Sequence, residues 1–214
     1  MRSKVILSQS AYPSLRDHLL SDGHEVIPFE PVETLKGSLS EHPDMVFCKL
    51  KPGVVFKGDP EKLVPLYPGD IIYNACSTGK YFIHNFKYTD PALLEAADVQ
   101  GLIRVNIRQG YGKCSILPVT EDGIITYDKG IYLACSAKGL KVLLIRPGHI
   151  VLPGYDTGFI GGASGRVGDA ILFNGDLSAH PDHDAIMHFI EDLGLKVKYF
   201  KEGPLTDIGS IIEV

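Results

Sequence analysis

"GYGKCSILPVTEDGIITYDKGIYLACSAKGLKVLLI", Gly110–Ile145, is the stretch on which the fold reading turns. It opens on a glycine-rich run, passes through two strand-like segments about a Glu-Asp-Gly turn, and ends in a short helix and a last strand. "GFIGGASGRVGDAILFNGDLSAHPDHDAIMHFIEDLGLKVKYF", from Gly158, repeats that order. "LTDIGSIIEV", from Leu205, holds only its front half, and "SKVILSQSAYPSLRDHLLSDGHEVIPF", Ser3–Phe29, supplies the rest. "GLKV" follows the helix in both full copies, at Gly139–Val142 and Gly194–Val197. A module that recurs in this way predicts a ring, with residues distant in sequence gathered about one axis.

Periodicity fills in the elements. Ile186, Phe189, Ile190 and Leu193 follow the i, i+3, i+4, i+7 rule, and Gly194 stops that helix. Leu15, His18, Leu19 and Asp22 give a weaker pattern ended by Gly23, and shorter helices are predicted over Pro91–Ala97 and Lys129–Ala137. Strands are predicted at Val26–Phe29, Leu102–Ile107, Lys141–Ile145 and Leu195–Phe200. Hairpins are signalled at "KLKPGVVF", "ACSTGKYFI", "VTEDGIITY" and "AILFNGDL", where Gly, Asn or Asp suits the turn. Glu30–Ser40 and Lys57–Pro68 read as connectors. Hairpin starts define five units: His42–Phe56, Ile71–Asn85, Gly110–Tyr127, Phe159–Asn174, and a split one, Leu205–Val214 with Lys4–Ser8. The first lacks a clear helix. Pairing "SIIEV" with "KVILS" would remove two free sheet edges.

The 214 residues give ample chain for a core and are read as a single domain, 1–214. The net charge is −5 with no basic block, which argues against nucleic acid. No apolar stretch approaches the roughly 20 residues a membrane span needs. The start, "MRSKVILSQSAYP", has too short an apolar run for a signal peptide, so the expectation is a cytoplasmic protein. Cys48, Cys76, Cys114 and Cys135 have no CxxC spacing and are expected as thiols.

Two motifs invite readings that their context does not support. "GFIGGASG" echoes the "GASG" loops of short-chain dehydrogenases, but a dinucleotide site needs a helix after the loop. Here "RVGDAILFNGDL" follows, a strand and an expected hairpin at Asn-Gly. The glycines fit better as backbones crowded near an axis. "HPDHDAIMH" offers His180, His183 and His188 with Asp182 and Asp184, but no histidine pair at i, i+4. It reads as a polar helix start with Ser178 or Asp182 as cap. No metal and no cofactor are expected.

"HPDMVF", His42–Phe47, resembles the HxDxxF segment of the pentein superfamily, the guanidino-group-modifying enzymes that include arginine deiminases and dimethylarginine hydrolases. "GYGKCSILPV", Gly110–Val119, resembles their glycine-rich segment ending on a nucleophilic cysteine. "TDIGSII" is a poorer match to the family's EGGD, with Asp207 at the glutamate position and Ser210 replacing the last aspartate. The architecture implied is α/β, a five-bladed ββαβ propeller closed by the N- and C-terminal strands. Because the acidic unit follows the histidine unit here, the unit order would be circularly shifted. The similarity is to a bacterial branch of that superfamily with no assigned reaction.

The resemblance implies Cys114 as nucleophile on a guanidinium carbon and His42 as the acid, then base. Asp44 is either a substrate carboxylate or the orienter of His42. Asp207 is the second carboxylate of a charge-assisted, bidentate grip on the cation. Gly110 and Gly112 allow close approach of a ligand, and Arg108 or Arg166 is expected to take a substrate carboxylate. The bound cation, with Lys113, would lower the thiol pKa. Cys76, in a unit that also holds Asn74 and His84, is a rival thiol, while Cys48 and Cys135 read as structural. Arg166 near the axis would repel a guanidinium and attract an anion. The expected function is therefore a cysteine-dependent hydrolase or amidine-transfer enzyme on a small guanidino or related C–N substrate. The alternative is a non-catalytic binding or interaction module.

Overall fold

The turn chemistry and the apolar pairs recognised above each produce a local element. The structure is a computed structural model and describes residues 3–214. The chain runs β1 (Lys4–Leu7), α1 (Pro13–Ser21), β2 (Glu25–Pro28), β3 (Phe47–Lys51), β4 (Val54–Lys57), β5 (Cys76–Ser77), β6 (Tyr81–His84), α2 (Pro91–Val99) and β7 (Ile103–Asn106). It continues α3 (Gly112–Ser115), β8 (Ile116–Thr120), β9 (Gly123–Thr126), α4 (Lys129–Ser136), β10 (Lys141–Leu144), β11 (Ser164–Val167), β12 (Ala170–Phe173), α5 (His183–Asp192), β13 (Lys196–Lys198) and β14 (Ile212–Glu213).

Each long helix buries one i, i+4 pair: Leu15 and Leu19, Leu93 and Ala97, Ile131 and Cys135, Ile186 and Ile190. That spacing places both side chains on one face, which packs on a sheet. Asp90 and Asp128 cap α2 and α4 by accepting from backbone N–H groups of the first turn. Asp182 stands at the α5 cap position without a capping bond, because its carboxylate accepts from Arg146 instead. A positive-φ glycine follows α5, where the Leu195 N–H reaches back to Ile190 O across Gly194 and closes the helix.

The strands form five sheets: β14-β1-β2, β3-β4, β5-β6-β7, β8-β9-β10 and β11-β12-β13. In the last three, an antiparallel hairpin is followed by a helix and a parallel third strand. β14 lies antiparallel to β1, with Ile6 opposite Ile212, and β2 is parallel to β1. β3-β4 has neither helix nor third strand.

This overturns the expected closed, circularly shifted five-bladed propeller. The fold is mixed α/β with five small separate sheets of two or three strands, and no sheet closes. Hydrogen-bonded ladders stop within each sheet, and two of the bounding strands, β5 and β14, are only two residues long. The sheets meet instead through buried side chains. Phe29, Met45, Leu50, Tyr73, Phe82 and Leu93 make one such cluster, and Leu117, Ile125, Ile171, Phe173 and Ile186 another.

Two local expectations change as well. The hairpin turn after Gly165 lies at Gly168–Asp169, with Val167 paired to Ala170, not at Asn174–Gly175. Asn174 is drawn away by tertiary bonds, accepting from Tyr12 N and donating to Thr206 O. Cys114, in a strand-like run, sits on the one-turn helix α3. The "GFIGGASG" segment leads into β11 with no helix after it. Among the described residues no helix is long and apolar enough to cross a membrane.

His84 ties β6 to the segment before α3. Its Nε2 lies 3.0 Å from Gly110 O and its Nδ1 2.7 Å from Thr89 Oγ1. With a carbonyl at Nε2, the neutral Nε2–H tautomer fits. Burial lowers its pKa to about 4, so the unfolded chain takes up this proton first as pH falls. Stability from His84 is therefore fully present above pH ~6.5 and is lost progressively down to pH ~4. Urea titration of the wild type should lose about 2 kcal/mol between pH 7 and pH 5, and His84→Gln should flatten that dependence.

Candidate functional site

Five segments, each leading into a different sheet, meet in one place. They are His42–Met45 before β3, Ile71–Ala75 before β5, Gly110–Ser115 before β8, Gly158–Ala163 before β11 and Leu205–Ile211 before β14. Backbone bonds join them: Asp44 N to Gly209 O, Gly161 N and Gly162 N to Cys114 O, and Ser210 N to Gly162 O. Two close approaches require glycine. A Cβ on Gly162 would fall 2.0 Å from the Asp207 carboxylate, and one on Gly209, at φ +71°, 2.3 Å from His42.

Cys114, His42, Asp44 and Asp207 come together there, all at most 2% exposed. Cys114 Sγ donates to Asp44 Oδ2 at 3.2 Å. His42 Nδ1 is 3.8 Å from Asp207 Oδ1. Asp207 also accepts from Phe159 N at 2.9 Å and Gly209 N at 3.0 Å. Ser210 Oγ donates to Asp44 Oδ2 at 2.6 Å and accepts from Lys113 Nζ at 2.8 Å. Ser210 holds a φ of +77°, a conformation unusual for a non-glycine residue. His42 Nδ1 and Asp44 Oδ1 are buried without a hydrogen-bond partner. Such orphaned atoms are costly in a fold that satisfies most of its polar groups.

Asn74 organises this cluster. Its Oδ1 accepts from Lys113 N and Cys114 N, and its Nδ2 donates to Asp44 O and to Cys114 Sγ, the last at 3.2 Å. Burial raises the Cys114 thiol pKa, the charges of Asp44 and Asp207 raise it further, and the Asn74 amide opposes them. Lowering it would take the positive charge that the resemblance assigns to a bound cation. Burial also raises Asp207; His42 works against that shift and Asp44 with it.

Several expected residues are elsewhere. Arg108 is exposed, and its carbonyl accepts from Asn85 Nδ2. Arg166 bonds to Gly168 O and Val119 O and lines a different cavity. Lys113 spends its ammonium on Gly161 O and Ser210 Oγ rather than on the thiol. Gly110 and Gly112 face Tyr67, Ile71, Asn74 and His84, so their close approach is to protein, not ligand. Cys76 lies buried on β5, where burial pushes its pKa up to about 12. Cys48 and Cys135 are buried thiols. In "HPDHDAIMH", His180 Nδ1 accepts from Asp182 N and His183 pairs with Asp184. The donors that could share a metal ion are instead His42, Asp44 and Cys114, whose ligand atoms lie within 4.8 Å of one another. A soft divalent ion such as zinc suits that set once the thiol loses its proton.

Tyr127 stacks on Phe159 near the cluster, Tyr111 meets Phe159 at a tilt, and Tyr67 extends the aromatic group toward the surface. Tyr111 donates its hydroxyl to the buried Asp70. Sequence reasoning misses Asn74 and Asp70. The one cue to Asn74 is that it precedes its hairpin much as Cys114 precedes the next. Ser210 reads in the sequence as a departure from an acidic motif, yet it is the residue that binds Asp44.

Fold and cluster together define a mixed α/β protein with a buried cysteine–histidine–carboxylate site. A family described as "Family of unknown function (DUF6873)" matches residues 56–212, and the chain belongs to that family. The matched span contains Asn74, Cys114, Asp207 and Ser210, and His42 and Asp44 precede it. No curated protein and no solved structure matches the chain.

Asn74→Ala should remove five side-chain hydrogen bonds at once, the weakest to Met45 Sδ, and lower stability by about 3 kcal/mol. It should also shift the pH profile of Cys114 alkylation upward, read by mass spectrometry. A profile that stays put would mean the amide does not act on the thiol.

Proposed function

We propose that this protein is a cysteine-dependent hydrolase or amidine-transfer enzyme acting on a small guanidino or related C–N compound. What supports the reading is the set of buried groups left open around Cys114: His42 Nδ1 and Asp44 Oδ1 lack partners, and Asp207 stands beside them. Two carboxylates in a dry site suit a planar cation that donates several N–H bonds. They also explain how a resting, neutral thiol becomes reactive. A guanidinium between Asp44 and Asp207 would cancel the charges that hold the thiol proton in place, and the Cys114 proton would then pass to His42, leaving the thiolate.

Sγ would attack the central carbon of the guanidinium. His42, carrying a proton, would hand it to the departing amine as the C–N bond breaks, leaving an amidino group on sulfur. His42 would then take a proton from water as that water attacks the same carbon, releasing the S–C bond and a ureido product. In the transfer variant, a second amine replaces the water. The similarity of "HPDMVF" and "GYGKCSILPV" to pentein motifs adds to this reading. With four free, buried cysteines and a small-molecule substrate, we place the protein in the cytoplasm, away from membranes and nucleic acid.

Burial of the thiol is the observation that favours the second reading, a non-catalytic binding module. Turnover separates the two. A screen of guanidino compounds by ureido-product and ammonia release should find a substrate, and Cys114→Ser should reduce its kcat at least about 10³-fold. In the free protein, Cys114 should alkylate with an apparent pKa above the ~8.5 of a free thiol. No turnover, with binding of the same compounds unchanged in Cys114→Ser, would sink the enzyme. One equivalent of zinc in the purified protein would replace both readings with a metal site.

A further inference from the structure

A cavity of about 650 Å³, within the usual range for small-molecule pockets, lies apart from the Cys114 cluster. One strand from each of the five sheets contributes to its walls: β3, β5, β8, β11 and β14. The cluster residues precede these strands, whereas the cavity is lined mainly by their later residues and the turns that follow. No residue of the His42–Asp44–Cys114–Asp207 group lines it.

Its charges are unevenly matched. Lys49 pairs with Glu213, and Asp122 pairs with Lys80. That leaves Lys51, Lys113 and Arg166 against Glu121, and among the described residues none of these four is in a salt bridge. Lys51 rests on Gln100 O at 2.6 Å. Arg166 uses Nε and Nη1 on backbone carbonyls, and its Nη2 has no partner among the described residues. A surplus of cations in one cleft is notable for a chain of net charge −5. Apolar surface from Phe47, Val119 and Ile211 adjoins them.

We infer that this cleft binds a small organic polyanion, and that Lys113 couples its occupancy to the buried cysteine cluster. Arg166 grips an acidic group through its guanidinium, and Lys51 and Lys113 supply point charges. Lys113 belongs to both places. It lines the cleft, and its Nζ donates to Ser210 Oγ, which donates to Asp44 Oδ2, the acceptor of the Cys114 thiol. An anion that draws the ammonium toward the cleft weakens the Lys113–Ser210 bond and frees Ser210 to turn from Asp44. The binding half is independent of any reaction at Cys114, and the coupling half rests on the cluster geometry alone, not on the hydrolase reading.

Calorimetric titration of the full chain with citrate and with pyrophosphate tests the binding. At least one should bind saturably in 150 mM salt, a solution condition in which surface charges are largely screened. Arg166→Ala, an exposed residue whose loss leaves the core intact, should weaken binding by about tenfold or more. Citrate alone points to a polycarboxylate and pyrophosphate alone to a phosphorylated compound. No saturable binding of either, or binding unaffected by both Arg166→Ala and Lys51→Ala, overturns the site. For the coupling, the saturating probe should change the Cys114 alkylation rate at least about threefold in the wild type. Ser210→Gly, which suits the positive φ, should keep the binding and lose that change. An alkylation rate indifferent to the bound probe overturns the coupling while leaving the site standing.

Discussion

The five hydrogen bonds of the Asn74 side chain, a weak one to Met45 Sδ included, are what the rest of the site depends on. A carboxamide presents an acceptor and a donor pair from one rigid plane. Here the acceptor holds two successive N–H groups at the start of α3, and the donors hold the carbonyl of Asp44 and the sulfur of Cys114. One residue preceding β5 thereby fixes the segment before β3 against the segment before β8. An apolar residue there would strand the buried Cys114 N–H, while Lys113 N would keep the backbone carbonyl of residue 74, and a carboxylate would face the carbonyl and the sulfur with oxygen in place of N–H.

Within that frame the electrostatics are tense by construction. Asp44 and Asp207 lie in the same dry volume as the thiol, and Lys113 reaches Asp44 only through Ser210. Burial and Asp44 both raise the Asp207 carboxyl, and burial with both carboxylates raises the Cys114 thiol. That distinguishes it from an inert core thiol such as Cys135, whose pKa is raised to about 12 by burial alone.

Much of the local structure is legible in the sequence because it is fixed by neighbours. Ile186 and Ile190 sit one helical turn apart, and Gly194 supplies the positive φ that ends α5. The Glu-Asp-Gly turn places β8 against β9 as its residues suggest. The closed ring was not legible, because how separate sheets meet is decided by side-chain volumes far apart in sequence. Asn174–Gly175 shows the same limit, since a good turn pair yields to bonds with Tyr12 and Thr206. In the site, His42, Asp44, Cys114 and Asp207 carry motif signals and do converge. Arg108 and Arg166 do not join them, because a place in the sequence beside glycines says nothing about which way a long side chain runs. Asn74 carries no motif signal, since its role exists only once three segments have met.

The antiparallel pairing of β14 with β1 has a consequence for timing. Asp207, Ser210 and β14 lie about 200 residues beyond β1 and are synthesised that much later. Until then β1 has an unpaired edge, and Asp44 lacks the hydroxyl that binds it. The surroundings of Cys114 are thus completed across a very long loop closure of the kind that slows folding. A nascent chain that stops short of Ser210 has the thiol but not the hydroxyl that links Lys113 to Asp44.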